Sequence, residues 1–118
     1  MAYILIMVNE LHTVIETPDF IVAAKAILSD DERNELIAYI STRPMAGKAM
    51  RGTGGARKLR WAAKGKGKSG GARVVYFYSG ANVPGVLLDI SGKSEKDNLT
   101  KAETNTLKGI LSELVKSY

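Results

Sequence analysis

The sequence predicts a single α+β domain that combines an antiparallel sheet with an N-terminal helical hairpin and a C-terminal helix. A chain of 118 residues supports one hydrophobic core and leaves no room for a second. Apolar residues recur at helical spacing near both ends of the chain. Between these regions, β-branched and aromatic runs are separated by glycine-rich turns, which is typical of strands. We therefore treat residues 1–118 as one domain.

The first half of the chain predicts one strand followed by two helices. Residues 12–17 favour a strand because β-branched residues surround the apolar pair Val14 and Ile15. Pro18 is tolerated in a first helical turn, and the apolar stripe that follows it consists of Phe20, Ala23, Ala24 and Ile27. A capping box at residues 29–32 begins a second helix, which contains Leu36, Ile37 and Ile40 and stops at Pro44. We expect these two helices to pack as a hairpin.

The second half of the chain predicts three strands and a final helix. In order, the predicted segments are a loop (45–56), a strand (57–61), a hairpin loop (64–71), two more strands (73–78 and 86–90) and an amphipathic helix that begins with a capping box at residues 100–103. The order β-α-α-β-β-β-α predicts an antiparallel sheet with helices on one face and the other face open. Alternation places Lys58 and Arg60 on the open face, where Arg73 joins them if the register permits.

Positive charge is concentrated in the middle of the chain. No acidic residue occurs between Leu36 and Leu88, whereas the same stretch carries ten basic residues. They are Arg43, Lys48, Arg51, Arg57, Lys58, Arg60, Lys64, Lys66, Lys68 and Arg73. A protein that needs charge only for solubility intersperses the two signs. The segregation therefore predicts a polyanionic partner, with a solvated basic face as the alternative.

The residue types present exclude several kinds of catalytic site. The chain has no cysteine and a single histidine, His12, which excludes thiolate metal sites, cysteine nucleophiles and two-histidine ribonuclease sites. The acidic residues cluster at 30–35 and 89–97, away from the predicted basic face, which disfavours a magnesium site. The glycine-rich residues 52–55 lack the spacing of a nucleotide-binding phosphate loop. We expect neither a metal nor an organic cofactor.

RNA is a polyanion whose cleavage needs neither a metal nor a histidine. Its 2′-hydroxyl can attack the adjacent phosphorus, so a protein has only to align the atoms and stabilise the developing negative charge. Arg73 begins an otherwise apolar strand beside the basic face, where its guanidinium can neutralise a phosphate bidentately. Trp61 either packs in the core or stacks on an unpaired base.

The apolar segment near the N-terminus is too short for a membrane span. Its longest run, residues 3–8, falls well short of the roughly 20 residues that a spanning helix needs, and the features of a signal peptide are missing. The absence of cysteine fits a reducing cytoplasm. We expect a cytoplasmic protein without a membrane partner, in which residues 1–11 are a candidate N-terminal extension and residues 1–6 are dispensable.

Two long segments resemble the HigB-type members of the RelE/ParE toxin superfamily. The first combines Gly-Thr-Gly-Gly-Ala-Arg-Lys-Leu-Arg-Trp at residues 52–61 with the basic run and strand at 65–76, and the second comprises Leu87, Leu88 and residues 92–99. This resemblance implies a RelE-like microbial ribonuclease fold and ribosome-dependent cleavage of mRNA, which inhibits translation. It also implies a type II toxin–antitoxin system with a cognate helix-turn-helix, HigA-like antitoxin, through which alone the protein would reach operator DNA.

The resemblance and the basic pattern together assign candidate site residues. The candidate catalytic residues are Arg73, Lys93, Lys68 and Lys66, and the candidate RNA-binding residues are Arg57, Lys58, Arg60, Lys64 and Trp61. The chain departs from the family where Ser91 and Gly92 replace an aromatic residue and alanine. In addition, this chain has Thr100 near the sequence position at which RelE has a tyrosine, its proposed general base. The identity of the general base in this chain is therefore open.

Two other functions stay open at this point. The domain could bind RNA or the ribosome without cleaving, as the departure at Ser91 and Gly92 allows. It could also poison gyrase, as ParE-like relatives do, although the basic central loop favours RNA. Mapping of new mRNA ends separates the enzyme from both alternatives.

Overall fold

The computed structural model describes residues 12–63, 71–80, 82–92 and 100–117. In this part of the chain, the strands are β1 (Val14–Glu16), β2 (Lys48–Ala49), β3 (Ala56–Trp61), β4 (Ala72–Phe77) and β5 (Gly85–Gly92). The helices are α1 (Pro18–Ile27), α2 (Asp30–Thr42) and α3 (Lys101–Lys116). The predicted α+β class, with a helical pair before the main strands and a helix after them, is confirmed.

Local sequence signals define the start of each helix. Thr17 caps α1, and proline follows it in the first turn. Ser29 and Glu32 form a reciprocal capping box at α2, and Thr100 and Glu103 form another at α3. A cap of this type contributes about 1 kcal/mol to helix stability, because it satisfies amide groups that have no partner within the helix. The two predicted capping boxes are therefore confirmed.

The strands form one mixed sheet in the order β1-β5-β4-β3-β2. The pairs β2–β3, β3–β4 and β4–β5 are antiparallel. Strand β1 instead runs parallel to β5, with Ile15 opposite Val86. The prediction of an entirely antiparallel sheet is wrong at this edge. The cause is topological, because α1 and α2 carry the chain from β1 to the opposite edge. The antiparallel strands then bring it back beside β1 in the same direction.

Helices cover both faces of the sheet. On one face, α1 and α2 enclose the larger core, which includes Phe20, Leu36 and Tyr76. On the other face, Leu111 of α3 packs in a second core with Phe77. The prediction that one face is open is therefore wrong in part, since Leu111 of α3 is buried against that face, with Leu107 and Leu114 partly buried beside it. On this face, Arg60 of β3 and Arg73 of β4 lie toward the end of the strands opposite Phe77.

One strand was not predicted, and another extends beyond its predicted range. The segment 45–56, predicted as a loop, contains the two-residue strand β2, in which Lys48 pairs with Lys58. Strand β5 continues to Gly92 instead of ending at residue 90, and its pairing with β4 skips Leu88. This irregularity matters for the site, because it changes which β5 side chains accompany those of β4 on each face.

A buried tyrosine fixes the backbone that leads into β2. The Tyr76 hydroxyl accepts a hydrogen bond from the Gly47 amide and donates one to the Pro44 carbonyl, both at 2.8 Å. Gly47 permits this close approach, because a Cβ there would lie 2.7 Å from the Tyr76 ring. Burial raises the pKa of the Tyr76 hydroxyl above its usual value. The chain leading to Lys48 is therefore anchored to the centre of the sheet.

Candidate nucleic-acid interface

Arg60 and Arg73 are direct cross-strand neighbours. The register pairs Arg60 of β3 with Arg73 of β4, and Arg73 with Ser91 of β5. Lys58 occupies the next position of β3 on the same face, opposite Val75. The expectation that Arg73 shares a face with Lys58 and Arg60 is confirmed by this register. We call the side chains of Lys58, Arg60 and Arg73 the basic strand face.

Arg73 is the most deeply placed of these cations. Its side chain is 5% exposed, and Nη2 lies 3.9 Å from Oδ2 of Asp89, whose side chain is 54% exposed. We expected Asp89 to belong to an acidic cluster away from the basic side chains, and the structure corrects this because β5 pairs directly with β4. An ion pair with one exposed partner contributes about 0–1 kcal/mol to stability. At 3.9 Å these two atoms are beyond hydrogen-bond distance, so the contact between them is a charge interaction.

The pairing of Arg60 with Arg73 concentrates positive charge within a small area. Like charges on directly opposed positions destabilise an antiparallel strand pair, and Asp89 offsets part of this repulsion. A phosphate group offers several acceptor oxygens to planar guanidinium groups and forms charge-assisted hydrogen bonds with them. The arrangement is therefore suited to an anionic oxygen centre placed between the two side chains.

Arg57 and Trp61 lie on the face of β3 that α1 and α2 cover, away from the basic strand face. The Arg57 guanidinium donates to the carbonyls of Met45 and Gly47, at 3.3 and 2.7 Å. Trp61 is 9% exposed, and its indole N–H donates to the Glu32 carbonyl of α2 at 3.2 Å. This placement favours a structural role for both residues over the predicted contact with RNA. For Trp61, it corresponds to the core alternative rather than to base stacking.

The remaining predicted cations lie outside the described residues; they are Lys64, Lys66, Lys68 and Lys93. The described residues next to them show where both segments leave the sheet. Ala72 pairs with Trp61 on one side and with Gly92 on the other, next to the row formed by Arg60 and Arg73. Both lysine-containing segments are therefore attached to the end of the sheet that carries these two arginines.

The structure adds residues that the sequence did not single out. Lys48 pairs directly with Lys58, and Arg51 follows in the exposed turn between β2 and β3. Both belong to the acid-free stretch, but they fall in residues 45–56, which the sequence predicts as a loop. Ser91 is buried beside Arg73, and the Thr100 hydroxyl accepts a hydrogen bond from the Glu103 amide at the cap of α3.

No model of a known protein family matches the chain. Among the described residues, none of the helices is long and apolar enough to cross a membrane. Within the same ranges, histidine and carboxylate side chains do not come together in groups of three or more that could hold a metal ion.

Proposed function

We propose that this protein is a RelE-like toxin of the HigB type, a ribosome-dependent endoribonuclease that cleaves mRNA in the cytoplasm. A cognate helix-turn-helix antitoxin would hold it inactive. The observation that carries the proposal is the direct pairing of Arg60 with Arg73 on a face shared with Lys58. The acid-free basic stretch and the two segments that resemble the family support the same function.

The proposed reaction uses the RNA as its own nucleophile. The 2′-hydroxyl gives its proton to a general base as its oxygen attacks the adjacent phosphorus, and the bond to the 5′-oxygen breaks as a general acid protonates that oxygen. The products are a 2′,3′-cyclic phosphate and a 5′-hydroxyl. Arg73 and Arg60 stabilise the extra negative charge on the non-bridging oxygens of the transition state. Asp89 acts as a positioning residue for Arg73. Lys66, Lys68 and Lys93 are the proposed sources of further charge and of proton transfer.

Mapping mRNA ends in a translating extract tests this proposal. The wild-type protein should create new 5′-hydroxyl ends, and Arg73→Ala should lower the cleavage rate by about 10²–10³-fold, as expected for loss of one preorganised charge. Arg73→Lys keeps the charge but loses the planar fork, so its rate should fall between the two. Lys25→Ala is the matched control, because Lys25 is exposed on α1 and its loss removes the same charge.

Two results would contradict the proposal. Wild-type cleavage by a folded Arg73→Ala protein would exclude Arg73 from the reaction. No new ends with the wild-type protein would exclude the enzyme altogether. DNA damage with intact mRNA would indicate the gyrase-poisoning function instead.

The burial of Arg73 favours a second candidate function. A side chain that is 5% exposed beside Asp89 can serve to hold the sheet together, while the half-buried Lys58 and Arg60 contact RNA. The protein would then bind RNA or the ribosome without cleaving. This function predicts that ribosomes stall without new mRNA ends and that Arg73→Ala lowers the melting temperature rather than a cleavage rate.

A further inference from the structure

A second concentration of positive charge lies where β2, β3 and α3 meet. A cleft of about 270 Å³ at this junction is lined mainly by Lys48, Arg51, Lys58, Thr53 and Thr104. Sites that enclose a drug-sized ligand typically have volumes of about 300–1,000 Å³. The cleft is therefore large enough for a small chemical group, but it is smaller than a typical site for a drug-sized ligand.

The cations in this cleft come from three different segments. Lys48 belongs to β2 and pairs directly with Lys58 of β3, while Arg51 stands in the turn that connects these strands. Among the described residues that line the cleft, none carries a carboxylate. Like charges on directly opposed strand positions lower the stability of the pair, and a bound anion would reverse that effect. A solvated charge cluster is the alternative, and the experiment below distinguishes the two.

Buried hydrogen bonds fix the backbone around the cleft. The Thr53 side chain, 1% exposed, donates to the Met50 carbonyl at 2.7 Å and accepts from the Ala56 amide at 3.1 Å. Gly52 has a φ of 80°, and a Cβ there would lie 3.4 Å from Thr104 of α3. The turn that carries Arg51 is therefore held in shape. A site that is already ordered loses less conformational entropy when a ligand binds.

The cleft is continuous with the basic strand face through Lys58. Lys58 and Arg60 are two residues apart on β3, which corresponds to about 7 Å at the usual rise of a strand. We infer that the cleft binds a backbone phosphate of the same single-stranded RNA, one or two nucleotides from the cleaved bond. This inference rests on the proposed function and assigns Lys48 and Arg51, together with Lys58, to a second phosphate site.

A phosphate bound in this cleft is distant from the reacting atoms. Its contacts are the same in the ground state and in the transition state, so they strengthen binding without lowering the barrier of the chemical step. Loss of Lys48 and Arg51 should therefore raise the KM for cleavage and leave kcat unchanged. Loss of Arg73 should instead lower kcat. This difference separates the second site from the reacting site.

Salt-dependent binding to an uncleavable RNA tests the inference directly. A 2′-O-methyl single-stranded oligomer lacks the attacking hydroxyl, so binding is measured without cleavage. For single strands, the slope of log K against log salt changes by about 0.7 for each phosphate contact. The double variant Lys48→Ala/Arg51→Ala should bind more weakly, with a slope shallower by about 0.7 for one phosphate.

The control is Lys25→Ala/Lys116→Ala, which removes two exposed positive charges outside the cleft. It should keep the wild-type slope, and neither double variant should melt at a lower temperature than the wild-type protein, since loss of Lys48 removes a like-charge pair with Lys58. A third variant, Lys48→Gln, keeps the length of the side chain while removing its charge, and should also bind more weakly.

Each outcome decides a different question. A wild-type slope in the folded Lys48→Ala/Arg51→Ala protein would overturn the second site and leave the proposed function standing. A change seen on ribosomes but not on the oligomer would assign the cleft to ribosomal RNA and overturn the inference as stated. A wild-type protein whose binding to the oligomer does not vary with salt would also overturn it. A shallower slope without any cleavage by the wild-type protein would support the second site and refute the nuclease.

Discussion

The Tyr76 hydroxyl anchors the segment that carries Lys48. Lys48 in turn lines the cleft between β2, β3 and α3. The ring is fully buried on the face that α1 and α2 cover, and the hydroxyl contacts the backbone of both Pro44 and Gly47. A buried polar group without its partner costs about 1–3 kcal/mol. Tyr76, on the face that α1 and α2 cover, therefore fixes the backbone that positions Lys48 on the opposite face of the sheet.

Tyr76→Phe should lower the free energy of unfolding by about 1–3 kcal/mol, because the Gly47 amide and the Pro44 carbonyl lose their common partner. Urea unfolding measures this change. Tyr78→Phe is the control, since the Tyr78 ring is only half-buried, and its effect should stay within about 0.5 kcal/mol. Equal losses in the two variants would contradict the assigned role of Tyr76.

The pH dependence of stability gives the same variant a second readout. The pKa of Tyr76 is raised in the fold, so the folded chain retains a proton that the unfolded chain releases above about pH 10. Stability should therefore fall as the pH rises from about 10 towards the higher pKa of the folded state. Phenylalanine cannot ionise, so Tyr76→Phe should show a smaller decrease over this range.

Asp89 should influence cleavage and RNA binding in opposite directions. Asp89→Asn removes the negative charge that lies 3.9 Å from the Arg73 guanidinium and repels phosphate. We expect tighter RNA binding, a lower kcat, and a change in stability below about 1 kcal/mol. Steady-state cleavage kinetics measure both parameters, with Glu113→Gln on the exposed side of α3 as the control. Wild-type values of KM and kcat would show that Asp89 does not position Arg73.

At the level of elements, α3 covers one end of the sheet face that carries the basic side chains. Its buried Leu111 packs with Phe77 and Val86 on the face that carries the basic side chains at its other end. The helix thus separates an apolar part of this face from a cationic one. Its sequence predicts an amphipathic helix, but the identity of the surface that buries the apolar stripe depends on contacts between distant residues.

Leu111→Ala should destabilise the fold by about 2–5 kcal/mol, because it leaves a cavity between α3 and the sheet. The neighbouring substitution Ile110→Ala is the control, since Ile110 is 56% exposed and its loss should change stability by about 0.5 kcal/mol or less. Denaturant unfolding of the two proteins gives the comparison. Similar values would mean that α3 is not docked on this face.

Helix positions were predictable because their signals are local. The caps at Ser29 and Thr100 act over three residues, and the structure has both where the sequence indicates them. Strand register is different, because it depends on segments far apart in the chain. The pairing of Lys48 with Lys58 and the approach of Asp89 to Arg73 therefore appear only in the fold. The sequence thus predicted the face that Lys58, Arg60 and Arg73 share, but not the neighbours that these residues acquire from β2 and β5.

At the level of the whole molecule, the net charge of +5 conceals two regions of opposite character. The segment between Leu36 and Leu88 has ten basic and no acidic residues, and the rest of the chain contains all the acidic residues. The positive electrostatic field of the basic segment accelerates the approach of a negatively charged partner, and salt weakens this field. Interactions with the proposed antitoxin should show this dependence.

Association with the antitoxin should become slower as salt rises from about 50 to 500 mM, because screening shortens the range of the field. We expect partial neutralisation of the basic surface combined with steric exclusion from the ribosome. Stopped-flow measurements of the association rate test this, with Lys25→Ala as a control for a charge outside the basic stretch. A rate that does not change with salt would show that the antitoxin contacts another surface.

The parallel pairing of β1 with β5 links the order of synthesis to the completion of the site. Val14 pairs with Gly85, and the Thr17 hydroxyl donates to the Leu87 carbonyl, 70 residues further along the chain. Contacts between such distant residues form slowly, because a long loop must close first. During translation, β1 emerges long before β5, and Asp89 and Ser91 emerge with β5. A nascent chain therefore lacks Asp89 and Ser91, the β5 neighbours of Arg73, until 91 of its 118 residues have been made.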